Sequence, residues 1–425
     1  MGPNILLDKS TLQALSKKEL ILLNKLYQVI IPPILPTEIL ADLKKNTVGN
    51  TLNEAEVIQI ANKLIQKDNV VNVDYHQILI SSLMGNDSSK SRRPIPCGGK
   101  KVVDKDGKVG IRFNETQEIR AIRKWQQGNF SEAEKILAEQ WRRYTTDIDL
   151  ESYKKMFAAA KILYPICNDF PDLIRISEKL INQPEIQVEY LKNIIEELQI
   201  DQNLASQIFY RWESEGFNLI KDFAPYFYYV TKVETAFRLG LVYGLVTPRS
   251  TNLIDEQYLH YLPFCNAFSS RDNFHKTFGK IFLESDQTFI DGDDLKIDLK
   301  EIVDQLENED KELNLDWSTS FSVEPPNNPD SLTYKMWKKY WPDWSPGWFY
   351  RKSEAKEYTA IPTELKERID SLQEIKTQPW EPVKEDEIDF ISMEYEISLE
   401  DQCPCGSGKK LKDCHYREGM EINHK

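Results

Sequence analysis

The run Ile5-Leu6-Leu7-Asp8-Lys9-Ser10 passes from three apolar residues straight to an aspartate. Those apolar residues read as a buried strand that ends at the acid. The segments immediately after it decide the fold. Lys17-Lys18-Glu19-Leu20-Ile21-Leu22-Leu23-Asn24-Lys25-Leu26-Tyr27 has apolar residues at helical spacing, and Gln28-Val29-Ile30-Ile31 is a β-branched run stopped by Pro32 and Pro33. A second helix is predicted from Pro36, with lysines at its end. Strand, helix, strand, helix implies a parallel sheet with right-handed crossovers. Such sheets bind ligands outside the carboxyl ends of their strands, which is where Asp8 falls. One acid there is an ordinary loop residue, so a site needs further acids brought to the same edge.

The chain has 425 residues, more than one core usually holds, and two or three structural units are expected. With 40% apolar and 29% charged residues it has the composition of a soluble protein. No apolar run approaches the roughly 18 residues of a membrane span, and no basic and apolar leader is seen at the amino terminus. A cytoplasmic protein without a membrane partner is expected. The net charge of -14 argues against a general basic coat for duplex DNA, while leaving room for a local basic groove. Of six cysteines, Cys97, Cys167 and Cys265 are scattered and read as core residues, whereas Cys403, Cys405 and Cys414 are crowded as in a metal site.

Residues 50 to 245 are mostly helical in pattern. Asn129 or Ser131 should cap a helix whose Ile136, Leu137 and Trp141 share one side. The α/β signal then returns: a helix from near Asp255, a strand in Cys265-Asn266-Ala267-Phe268-Ser269-Ser270, and a helix over 271–283. A strand at Gln287-Thr288-Phe289-Ile290, a turn at 291–294 and a closing helix complete it.

Asp8 ends the first strand, Glu38 opens the helix after the second, Asp255 opens a later helix, and Asp272 comes after the strand ending at Ser270. Four carboxylates drawn to one edge would repel one another and require a cation. Oxygen-only ligation points to Mg²⁺ or Mn²⁺.

In order and setting these residues resemble the PIN-domain nucleases. Asp8-Lys9-Ser10 is similar to the family's opening Asp-x-Ser/Thr, Leu35-Pro36-Thr37-Glu38-Ile39-Leu40 to its glutamate-bearing helix, and Ser269-Ser270-Arg271-Asp272 to its Thr/Ser-x-Asp. The resemblance implies an α/β core in two halves, 1–48 and 245–305, around a mostly helical insertion at 49–244. It further implies an endoribonuclease, or nuclease more generally, in which Mg²⁺ or Mn²⁺ held by Asp8, Asp255 and Asp272, aided by Glu38, activates water. Ser10 and Ser270 would support the carboxylates, RNA would be the substrate, and products would carry 5′-phosphate and 3′-hydroxyl ends. The long insertion is the departure from compact members.

Residues 306–400 form an acidic linker around an aromatic segment, and Cys403-Pro404-Cys405 with Cys414-His415 supplies four ligands suited to tetrahedral Zn²⁺. Residues 401–417 resemble the SEC-C motif, which implies contact with a protein, the ribosome or RNA. In the aromatic segment Trp337, Lys338, Lys339, Trp341 and Arg351 admit two readings: stacking on nucleobases, or rings docked onto the core. The expected function is thus a PIN-type nuclease with a zinc tail. The alternative is a non-catalytic adaptor that uses that tail and the aromatic segment on a PIN-like scaffold.

Overall fold

The computed structural model describes residues 2–45, 50–64, 69–96, 99–103, 109–113, 116–158, 167–313, 324–347 and 394–395. Ile5, Leu6 and Leu7 are buried to 1% exposure or less and lie in β1 (Asn4–Leu7), which runs parallel to β2 (Gln28–Ile31) on one side. β3 (Val70–Val71) lies beyond β2. The chain then forms the antiparallel pair β4 (Gly99–Val103) and β5 (Val109–Phe113) before β6 (Ala267–Ser270) enters on the other side of β1, flanked by β7 (Thr288–Asp291). The main sheet is therefore all parallel in the order β3-β2-β1-β6-β7. β8 (Glu394–Tyr395) pairs with β5 in a separate three-stranded sheet.

Helices pack against the parallel sheet, and the central positions of β1, β2 and β6 are buried. Lys17–Leu26 begins with a capping box, Ser16 accepting from the Glu19 N–H and Glu19 from the Ser16 N–H, and buries Leu20, Leu22, Leu23 and Leu26. Against it packs the long helix Gly292–Leu313. That helix starts in the stretch expected to be a turn. Gly292 is required there, because a Cβ would come within 2.5 Å of the Thr11 hydroxyl and 2.6 Å of Arg271 Cγ.

Three further expectations need correcting. The helix carrying Glu38 spans Ile34–Ala41, so Glu38 stands a turn inside it, not at its opening. The helix expected over 271–283 is a short helix, Asn273–Thr277, followed by a 3-10 turn, Gly279–Phe282. Finally, β3 joins the parallel sheet from within 49–244, so that stretch is more than a helical insertion. Apart from the β4–β5 pair, its other described elements are helical and centre on the mostly buried helix Pro225–Tyr243, which packs against Phe170–Ile181 and ends at left-handed Gly244.

Candidate active site at the carboxyl edge of the sheet

Asp8 comes directly after β1 and caps the helix Lys9–Ala14, accepting from the Thr11 N–H at 2.9 Å. The Ser10 hydroxyl lies 2.9 and 2.8 Å from its two oxygens, and Ser270, at the end of β6, donates to it at 2.7 Å. Both serines thus support Asp8. Burial alone would push this carboxyl up. The His275 ring, with the Ser270 hydroxyl and the Thr11 N–H, outweighs burial and holds it below the ordinary aspartate value.

Glu38 comes from the helix after β2. It accepts a 2.5 Å hydrogen bond from the Tyr258 hydroxyl, and its backbone carbonyl accepts from Lys9 Nζ at 3.0 Å. Lys9 also pairs at 2.7 Å with the buried Asp42, which Arg142 holds from the other side at 2.5 Å. Burial, joined by the charges of Asp8 and Asp42, raises the Glu38 carboxyl above its usual range.

Asp255 lies on the helix Asn252–Leu259, just before β6. Its pKa is pushed up to about 7, first by burial and then by Glu38, Asp272 and Asp8, with His275 acting in the opposite direction. Asp272 caps the helix Asn273–Thr277, accepting from the Phe274 N–H at 2.7 Å, while its own N–H donates to Ser270 at 3.0 Å. Acids from separate elements therefore stand within electrostatic reach of Asp255.

Donor type and charge at this edge fit a hard divalent cation: the acids supply oxygen atoms, and Glu38, Asp272 and Asp8 add to the burial that raises Asp255. The side-chain positions do not by themselves form a coordination shell. Among the described residues, no three His, Cys, Asp or Glu side chains stand ready to hold a metal. The Asp8 oxygens are occupied by hydroxyl and amide donors, and Glu38 by Tyr258.

Sequence reasoning missed His275 and Tyr258. His275 is completely buried, and Tyr258 is 1% exposed. The one clue to His275 is its place three residues after Asp272, in a first helical turn that folds back beside the strand.

The aromatic segment is docked where it is described. Trp337, at 1% exposure, donates its indole N–H to the Leu26 carbonyl at 2.9 Å and packs against Trp341 and Trp344 with ring centroids 5.3 and 5.1 Å away. Lys338 donates to the Trp344 carbonyl, and Lys339 to the Gln287 carbonyl at 3.0 Å and the Thr288 hydroxyl at 2.8 Å. Trp337 is thus a core residue and not a stacking platform. Its burial, with the indole N–H satisfied inside the protein, is the physical reason. Trp341 is half-buried beside it, and Arg351 lies outside the described residues.

The SEC-C motif matches residues 401–417. This motif is generally zinc-binding. Cys403, Cys405, Cys414 and His415 all fall outside the described residues. No PIN-domain family matches the chain, and neither a curated protein nor a solved structure does. Among the described residues no helix is long and apolar enough to cross a membrane.

Proposed function

We propose that the chain is a divalent-cation-dependent endonuclease of PIN type, acting on RNA. The observation that carries this reading is that Asp8, Glu38 and Asp272 all act electrostatically on Asp255 at the carboxyl edge of a parallel sheet, adding to the burial that raises it first. Mg²⁺ or Mn²⁺, when bound, would lower the pKa of a water and stabilise the leaving oxygen. The chain's own residues prepare the edge. Ser10 and Ser270 orient Asp8, Tyr258 orients Glu38, and the exposed Arg271, paired at 2.8 Å with Asp293, lies at the rim where a phosphate would arrive.

The SEC-C match favours a second role for the tail. Cys403, Cys405, Cys414 and His415 would close a structural zinc site, leaving no open position for chemistry. That module would bring the nuclease to RNA, a protein or the ribosome; without activity at the acidic edge, the whole chain would be an adaptor.

Purified protein should cleave single-stranded RNA with Mn²⁺ or Mg²⁺ and lose that activity in chelator. Asp8→Asn and Asp272→Asn should each abolish it while leaving the fold intact. Undiminished cleavage by both variants would remove the acidic edge from the chemistry. Elemental analysis should find one zinc per chain, lost in Cys403→Ser.

A further inference from the structure

His275 has no part in the function proposed above, although it touches Asp8, Ser270 and the backbone of Asp255. Its ring packs against Phe268, Phe274 and Tyr258, with centroids 4.9, 5.7 and 5.8 Å away. Nδ1 lies 2.8 Å from the Ser270 hydroxyl and 3.5 Å from an Asp8 carboxylate oxygen. Nε2 lies 2.8 Å from the backbone carbonyl of Asp255. A carbonyl only accepts, so Nε2 must donate to it. The Ser270 oxygen that meets Nδ1 also takes the Asp272 N–H and donates to Asp8. One ring therefore connects the helix bearing Asp255 to the strand ends bearing Asp8 and Asp272.

We infer that His275 is the positioning residue of the acidic edge, setting the separation of Asp255 from Asp8 across the junction between the helix Asn252–Leu259 and the strands β1 and β6. The inference rests on the nuclease reading only for its consequence in catalysis; the link itself is independent of any activity. With both nitrogens engaged, the imidazole is withheld from metal ligation. The edge is left to carboxylate oxygens, the donor set of Mg²⁺ and Mn²⁺ rather than of zinc.

Two conservative variants separate the two bonds. In His275→Asn the amide nitrogen can replace Nδ1 at Ser270, and the Asp255 bond is lost. In His275→Gln the longer side chain can reach the Asp255 carbonyl, and the Ser270 bond is lost. Hydrogen exchange on the full chain is the first readout. Amides of the helix Asn252–Leu259 should exchange about tenfold faster in His275→Asn and close to the wild-type rate in His275→Gln. The second readout is Mn²⁺ affinity by electron paramagnetic resonance, which should fall about 10–100-fold in His275→Asn. Equal exchange in the two variants would overturn the proposal and make the ring a space-filler. The expected exchange difference between the two variants, together with a wild-type protein that neither binds Mn²⁺ nor cleaves RNA, would uphold the His275 link and remove the nuclease reading.

Discussion

The helix Asn252–Leu259, with His260 at its end, has two polar sides, and they differ in kind. On one side Asp255 and Tyr258, three residues apart, meet the acids and His275. On the other, Glu256 and His260, four apart, are 4% and 1% exposed, and Glu256 Oε1 and both ring nitrogens of His260 have no hydrogen-bond partner among the described residues. Burial pulls His260 down to about 3, and burial with the Glu234 charge pushes Glu256 well above its usual range. His260 is therefore neutral at neutral pH, and on Glu256 burial favours the neutral form. The difference teaches that burial without a partner favours the neutral form of a group, whereas the hydrogen-bond donors and the His275 ring around Asp8 favour its charged form despite burial.

The sharpest way to break this comparison is to alter neighbouring residues. Asp255→Asn should lower Mn²⁺-dependent RNA cleavage at least about a hundredfold, and Glu256→Gln should change it by less than about twofold. Equal losses would mean that the two sides act as one.

The pH dependence of unfolding comes next. Asp255 is raised from 3.8 to about 7, so its contribution to stability is full below pH 3.8 and is lost as pH rises through 7. His275 is raised from 6.5 to about 9, chiefly by Asp8 and Asp255 overcoming its burial. Its contribution is full below pH 6.5 and is lost as pH rises through 9. In chelator the melting temperature should therefore fall from pH 5 to 9. Mn²⁺ should flatten that fall by favouring the ionised carboxylates. A melting temperature that rises with pH in chelator would contradict this electrostatic account.

A smaller effect distinguishes the two sides by sign. Tyr258→Phe leaves Glu38 without its hydroxyl donor and should destabilise by about 1–3 kcal/mol in urea denaturation. His260→Phe replaces unpartnered nitrogens with an apolar ring and should be neutral or stabilising by up to about 1 kcal/mol. The smallest effect is expected away from both sides. Lys338→Glu with Lys339→Glu should shift RNA affinity by less than about twofold, because those amines serve the docked aromatic segment, and stacking rings would each contribute about 1–3 kcal/mol.

The strands β1 and β2 are legible because dense apolar or β-branched runs stop at a polar residue or at prolines, and β6 and β7 because short segments stand between helical patterns. β3 was not, since two valines between asparagine-rich flanks show no period. The four acids could be found because strand ends and helix starts are visible in sequence. Glu38 was shifted because Ile34 and Leu35 look equally like a continuing strand. Periodicity also misled at the helix Glu132–Asp147: Ser131 caps it as expected, yet Ile136 and Leu137 are 55% and 46% exposed. An apolar stripe states which residues share a side, not whether that side faces the core. Beyond its place three residues after Asp272, nothing in the sequence marks His275; its importance comes from contacts made across the fold.

The strand order has a consequence for biosynthesis. Ser270 and Asp8 are hydrogen-bonded across 262 positions of sequence, with β6 supplying one side of β1. During translation β1 and its helices must wait beside an open strand edge until β6 leaves the ribosome, and closing so long a loop is slow. Prematurely terminated products that lack β6 would lack Asp272, His275 and the support of Ser270. A nuclease with this arrangement would complete its acidic edge only late in synthesis, and its fragments would be inert toward the RNA that encodes them.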